Sequence, residues 1–176
     1  MTDRGLSSRF PAEASPGLLL WRVTNRWQAA MRAALAPHEL THVQYVLLAS
    51  LTWLNDQEPD RLVTQVDLAG FAATDPMMTS QVVRSLERGG LLERLPHPTD
   101  GRARVLRATR EGAAAARRAT ADVEAADVAF FARVDARAFA GELSVLAETD
   151  TETDTEIDTD TENEREAEAG DDARAD

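Results

Sequence analysis

Apolar residues in the stretch 18–35 recur every three or four positions, at Leu20, Val23, Trp27, Ala30, Met31 and Ala34. This spacing predicts one buried stripe along a helix of about five turns. Ser15-Pro16 supplies an N-cap and a first-turn proline, and Pro37 ends the helix. Thr41 and Gln44 then make a capping box ahead of VQYVLLASLTWL, a largely buried second helix ending near Asn55. The polar DQEPDR is a loop.

Shorter elements follow in 64–112. Thr64 with Asp67 opens a brief helix whose inward positions would be Val66, Leu68, Ala69 and Phe71. After a turn at 72–74, Asp75-Pro76 caps the next helix, with Thr79, Val82, Val83 and Leu86 on its apolar face. That turns Met77, Ser80, Gln81, Arg84 and Arg88 outward. Gly89-Gly90 stops the helix, and 92–95 and 105–108 read as two strands around Pro96, Pro98, Asp100 and Gly101. Helix, turn, helix and hairpin in this order predict a winged helix-turn-helix, in a fold that is mainly α with a small β-hairpin wing. A long Ala-rich helix to about Arg133, with Ala115, Ala119, Val123, Ala126 and Phe130 at helical spacing, and an amphipathic helix over 136–147 complete the folded part.

Charge sharpens this picture. The chain of 176 residues carries a net charge of −12, with 43% hydrophobic residues, enough for a core of ordinary size. The 17 Arg and 17 acidic residues of 1–147 balance, whereas 148–176 holds 14 acidic residues and 2 Arg. Residues 61–118 hold 10 Arg against 6 acids, so the winged motif is the basic segment, where a polyanion would bind. The Thr-acid repeat beyond Glu148 has no apolar face and reads as a disordered tail. That tail has three readings: a solubilising extension, a salt adaptation, or a polyanion competing with DNA for the basic face.

The outward side chains suit base and phosphate contacts. Gln81 can pair in two-point fashion with adenine and Arg84 with guanine, Met77 can meet a thymine methyl, and Ser80 can hold a phosphate. In the wing, DGRAR sets Arg102 and Arg104 beside a tight turn, and Asp100 is expected to fix the Arg102 guanidinium by a charge-assisted bond. An arginine so held suits a narrow minor groove.

Other chemistry is thin. With no cysteine there is no disulfide, thiol nucleophile or thiol redox sensor. His38 to His42 spells HELTH, a match to H-E-x-x-H, yet Pro37 before it and the Thr41 cap within it put the two His across a helix boundary. No metal, cofactor or catalytic residue is assigned, and no enzyme is expected. The start resembles no signal peptide and no apolar run reaches 18 residues, so a cytoplasmic protein without a membrane partner is expected.

The segments LTHVQYVLL, TQVDLAGFAATDPMMTSQVVRSLERGGLLER and PTDGRARVLRATREG together resemble the MarR family of bacterial and archaeal transcriptional regulators. The family's Asp-x-Arg wing and Leu-x-x-Thr-x-x-Gly exit match Asp100, Arg102, Leu106, Thr109 and Gly112. The likeness runs over about 16–147. Residues 1–14, polar and irregular, read as a flexible start; the likeness implies one domain over 15–147 with dimerisation helices at 15–36 and 113–147 around the winged motif at 41–112, and the tail at 148–176 has no counterpart in the family. The likeness further implies a homodimeric repressor on a palindromic double-stranded DNA operator, weakened by a small aromatic or phenolic effector. Trp21, Tyr45 and Trp53, with Arg22 or His42 as polar anchor, are the candidate effector residues; plain core packing is the other reading of these aromatics. The alternative function is a winged-helix protein-interaction module whose basic face docks an acidic partner.

Overall fold

Side-chain caps at the predicted places delimit the helices. The structure, a computed structural model, describes residues 11–147. Ser15 Oγ accepts from the Leu18 amide at 3.4 Å and opens α1, Pro16–Leu35, after a 3-10 turn at Ala12–Ala14. Pro37 lies in a second 3-10 turn, Ala36–His38, and Glu39 turns the chain in the left-handed region. Thr41 and Gln44 exchange bonds as a full capping box at α2, His42–Gln57. Thr64 and Asp67 do the same at α3, Gln65–Phe71. Asp75 Oδ1 accepts from the Met78 amide at 2.8 Å, with Pro76 in the first turn of α4, Pro76–Arg88. Strands β1, Leu92–Pro96, and β2, Arg104–Ala108, pair antiparallel from Leu92 opposite Ala108 to Pro96 opposite Arg104. Thr109 caps α5, Arg110–Phe131.

The core forms around α2, whose Leu47, Leu48, Leu51 and Leu54 are fully buried, each worth about 1.5–3 kcal/mol of apolar burial. Met31 and Leu35 of α1, Leu68 of α3, Val83 and Leu86 of α4, Leu92 and Leu106 of the hairpin, and Ala116, Ala119 and Val123 of α5 close over it. Small residues on α5 allow its close approach to α1 and α2. A bridge of Thr64 to Val105, with the Leu106 amide donating to the Val63 carbonyl at 2.8 Å, adds a short third rung to the hairpin edge. That rung has no sequence signal, since Val63 lies far from β2 along the chain.

Three expectations change. The α1 stripe is buried at Met31 and half-buried at Trp27, Ala30 and Ala34, but Leu20 is 55% and Val23 39% exposed among the described residues, and Leu35, outside the stripe, is buried. Val66 and Phe71 point outward, at 79% and 52% exposure, since α3 spends its inward positions on Leu68 and Ala69. On α5, Ala116 rather than Ala115 meets the core.

The chain divides after Ala132. In the second unit, Asp135 Oδ1 accepts from the Arg137 and Ala138 amides to start α6, Ala136–Ala147, none of whose residues is buried. The proposed flexible segment lies mostly, and the acidic tail wholly, outside the described residues.

Candidate nucleic-acid interface

The α4 helix presents two chemically distinct sides. Thr79, Val83 and Leu86 are buried, with Val82 half-buried. The Thr79 hydroxyl donates to the Asp75 carbonyl at 2.8 Å and lies 2.8 Å from the Thr74 hydroxyl, which satisfies it in the core. Met77, Gln81, Arg84 and Arg88 are exposed, as the helical wheel requires, whereas Ser80, also placed outward, is half-buried. Gln81, Arg84, Glu87, Arg88 and Arg94 line one shallow groove of about 570 Å³ between α4 and β1. Glu87 accepts from Arg94 at 2.6 Å and 2.9 Å, a two-point tie that fixes the hairpin against the helix. The Gln44 side-chain amide donates to Ser85 Oγ at 3.1 Å and anchors α4 to the start of α2. The Glu87–Arg94 pair and the second role of Gln44, its bond to Ser85, escape the sequence reading. Two opposite charges flanking the Gly89-Gly90 turn were the available signal for the first pair.

In the wing, Arg102 and Arg104 are exposed, and among the described residues neither has a carboxylate within ion-pair distance. Asp100 does not hold the Arg102 guanidinium as expected. Its Oδ1 accepts from the Arg102 backbone amide at 2.9 Å, the shorter route for a carboxylate two residues upstream. The aspartate therefore shapes the backbone and leaves the guanidinium unclaimed. His97, half-buried, accepts through Nδ1 from the Asp100 amide at 3.1 Å and the Thr99 amide at 3.4 Å.

The exit from the wing explains the Leu-x-x-Thr-x-x-Gly spacing. Leu106 fills the core, the Thr109 hydroxyl donates to the Gly90 carbonyl at 2.7 Å, and the Thr109 amide donates to the Leu91 carbonyl at 3.1 Å. A Cβ on Gly112 would stand 1.8 Å from that Leu91 carbonyl oxygen. Arg107 donates to the Pro59 carbonyl at 2.8 Å and Asn55 Oδ1 accepts from the Ala108 amide at 3.0 Å, so β2 is also tied to the last turn of α2 and the loop behind it.

The five candidate effector residues do not converge. Tyr45 and Trp53 share a cavity of about 450 Å³ with Phe71, Ala116 and Thr120, and Asp56 and Arg117 form its rim. Trp53 stacks on Phe71 with centroids 5.3 Å apart, and the Tyr45 hydroxyl donates to Thr120 Oγ1 at 3.3 Å. His42 lies in a different hollow of about 470 Å³ with Gln28, Arg32 and Val43. Its ring meets Trp27 edge-on at 5.0 Å, and Trp27 Nε1 donates to Asp127 at 2.7 Å. Burial lowers the His42 pKa against the opposing pull of Asp127, and Arg32 lowers it further. Trp21 and Arg22 sit on the exposed start of α1 and line neither cavity.

The HELTH motif spans a helix boundary as expected: His38 in the 3-10 turn, Glu39 in the left-handed region, His42 in the first turn of α2. His38 Nε2 pairs with Asp122 at 2.7 Å. Among the described residues no three metal-ligating side chains gather.

A model of the MarR family matches residues 40–103, from the end of the first connection into the wing. The uncharacterized HTH-type transcriptional regulator YdcH of Bacillus subtilis (strain 168) is 45% identical over 118 residues, 67% of this chain and 79% of the relative. The HTH-type transcriptional repressor Rv2887 of Mycobacterium tuberculosis (strain ATCC 25618 / H37Rv) is 35% identical over 124 residues, 70% of this chain and 85% of the relative. Among solved structures, CouR from Rhodococcus jostii RHA1 bound to p-coumaroyl-CoA is similar with a TM-score of 0.66 and 28% identity, over 79% of this chain and 93% of CouR. The family match together with likeness of this extent to curated regulators means that the chain belongs to the MarR family of transcriptional regulators.

Proposed function

We propose that the chain represses transcription in the cytoplasm as a homodimer on a palindromic operator, each copy setting α4 in a major groove and the wing on the adjacent minor groove or backbone. Gln81 and Arg84 read bases, Met77 contacts a thymine methyl, Ser80 holds a phosphate, Asp100 shapes the wing, and Arg102 and Arg104 enter the minor groove. The observation that carries this reading is the groove in which the exposed Gln81, Arg84 and Arg88 adjoin Arg94, with helix and hairpin tied by Glu87. The regulator family and the name of the repressor relative support the same assignment.

The test is a gel shift on the protein's own upstream intergenic DNA across a salt series, with Arg102→Ala beside the wild type. Binding should be sequence-specific and fall steeply with salt. Arg102→Ala should lose at least about ten-fold in affinity with the fold intact, since it removes a charge-assisted contact. Unaltered binding by that variant would remove the wing from the mechanism. Indifference to DNA sequence at every salt concentration would favour a protein-docking role for the basic face.

The cavity beside Tyr45, Trp53 and Phe71 is ring-lined and large enough for a small aromatic molecule. It lies among α2, α3 and α5, so an occupant there would bear on the helix that precedes α4. The p-coumaroyl-CoA of CouR supports an aromatic effector for this chain.

A further inference from the structure

We infer that His97 is a positioning residue for DNA binding, its Nδ1 lone pair holding the wing turn that sets Arg102 and Arg104. Prolines at 96 and 98 pin the backbone on both sides of His97, and Pro98 has no N–H of its own. The next two amides, Thr99 at 3.4 Å and Asp100 at 3.1 Å, both donate to Nδ1, and the Thr99 hydroxyl lies 3.4 Å away. These amides lie beyond the strand ladder, which stops at Pro96 opposite Arg104. Asp100 passes the constraint on, since its carboxylate takes the Arg102 amide at 2.9 Å and its carbonyl the Ala103 amide at 3.2 Å. Two side chains thus organise the tip from 97 to 103, and the chain enters β2 at Arg104 in a set direction.

An acceptor at Nδ1 requires a neutral ring with its hydrogen on Nε2. Asparagine places a neutral oxygen acceptor the same number of bonds from Cβ, whereas alanine places none. This comparison separates hydrogen bonding from bulk. The inference rests on the wing reading of Arg102 and Arg104, so the experiment tests the two separately.

Operator affinity of the full chain would be measured by anisotropy on a duplex from its own upstream intergenic DNA that the wild type binds. The variants are His97→Ala, His97→Asn, Arg102→Ala/Arg104→Ala, and that pair combined with His97→Ala. We expect His97→Ala to weaken binding about five- to ten-fold, the effect of losing one or two modest hydrogen bonds, and His97→Asn to stay within about two-fold. In the arginine-less background His97→Ala should add little. Unchanged affinity in His97→Ala, equal loss in both His97 variants, or full additivity would each overturn the inference. If the arginine pair proves dispensable, the wing reading fails. Imidazole ¹⁵N spectra then decide on the turn without DNA: an Nε2–H tautomer, and an Asp100 amide resonance displaced in His97→Ala but not in His97→Asn, would support the positioning of the tip. An Nδ1–H tautomer would refute it. The same spectra serve if His97→Ala melts early.

Discussion

At Gly112 a hydrogen in place of a methyl group decides how closely the first turn of α5 approaches the turn after α4. The Leu91 carbonyl that would collide with a Cβ also accepts from Thr109, so it cannot retreat without releasing that bond. Gly112→Ala should therefore destabilise the fold by about 3 kcal/mol, seen in urea as a lower midpoint at an unchanged slope. A wild-type midpoint would mean that the carbonyl yields freely. The spacing of Leu106, Thr109 and Gly112 is legible in sequence as a motif. Its cause is not, because residue 91 reaches residue 112 only through the fold. Asp100 teaches the same lesson: its spacing from Arg102 announces a contact, and local geometry selects the backbone amide over the guanidinium.

Among the elements, α3 shows how much a short helix depends on its cap. The Thr64 hydroxyl and backbone amide hold the Asp67 carboxyl below its ordinary value of 3.8, with burial opposing and Arg61 assisting. A carboxyl depressed in the folded state adds stability that is present above the unfolded value and lost as pH falls through the folded one. Asp67→Ala should cost about 1 kcal/mol at pH 7, and the gap to wild type in urea melts should close below about pH 3.8. A gap that persists in acid would assign the cost to helix propensity. The caps and extent of α3 and α4 are readable from a few adjacent residues. Which way Val66 and Phe71 face is not, because fewer than two turns leave the apolar positions spread around the axis until α4 and the core claim one side.

On the scale of the whole molecule, the start of α1 carries a cluster of exposed apolar side chains among the described residues. Leu19, Leu20, Trp21 and Val23 are exposed, and we propose that a second copy covers them in the homodimer. Leu20→Glu/Trp21→Glu should shift sedimentation from dimer to monomer and weaken binding to a two-fold site by about a hundred-fold or more, since the halves then bind separately. A dimer that survives would move the interface elsewhere. An aromatic effector should quench tryptophan fluorescence through Trp53 and loosen DNA binding together, and Phe71→Ala should blunt both. No response across a broad phenolic panel would count against the cavity. Local chemistry along the chain was enough to specify the helices, the hairpin, the outward Gln81 and Arg84 and the basic character of the motif, because caps, periodicity and charge act within a few residues. The long-range packing settled the rest: the scatter of the effector candidates, with Tyr45 and Trp53 in one cavity, His42 in another and Trp21 and Arg22 in neither, the Gln44–Ser85 bond, the contact of Gly112 with Leu91 and the exposed start of α1. Each of these depends on which distant segments the core brings within a few ångströms, and no short stretch of sequence carries that information.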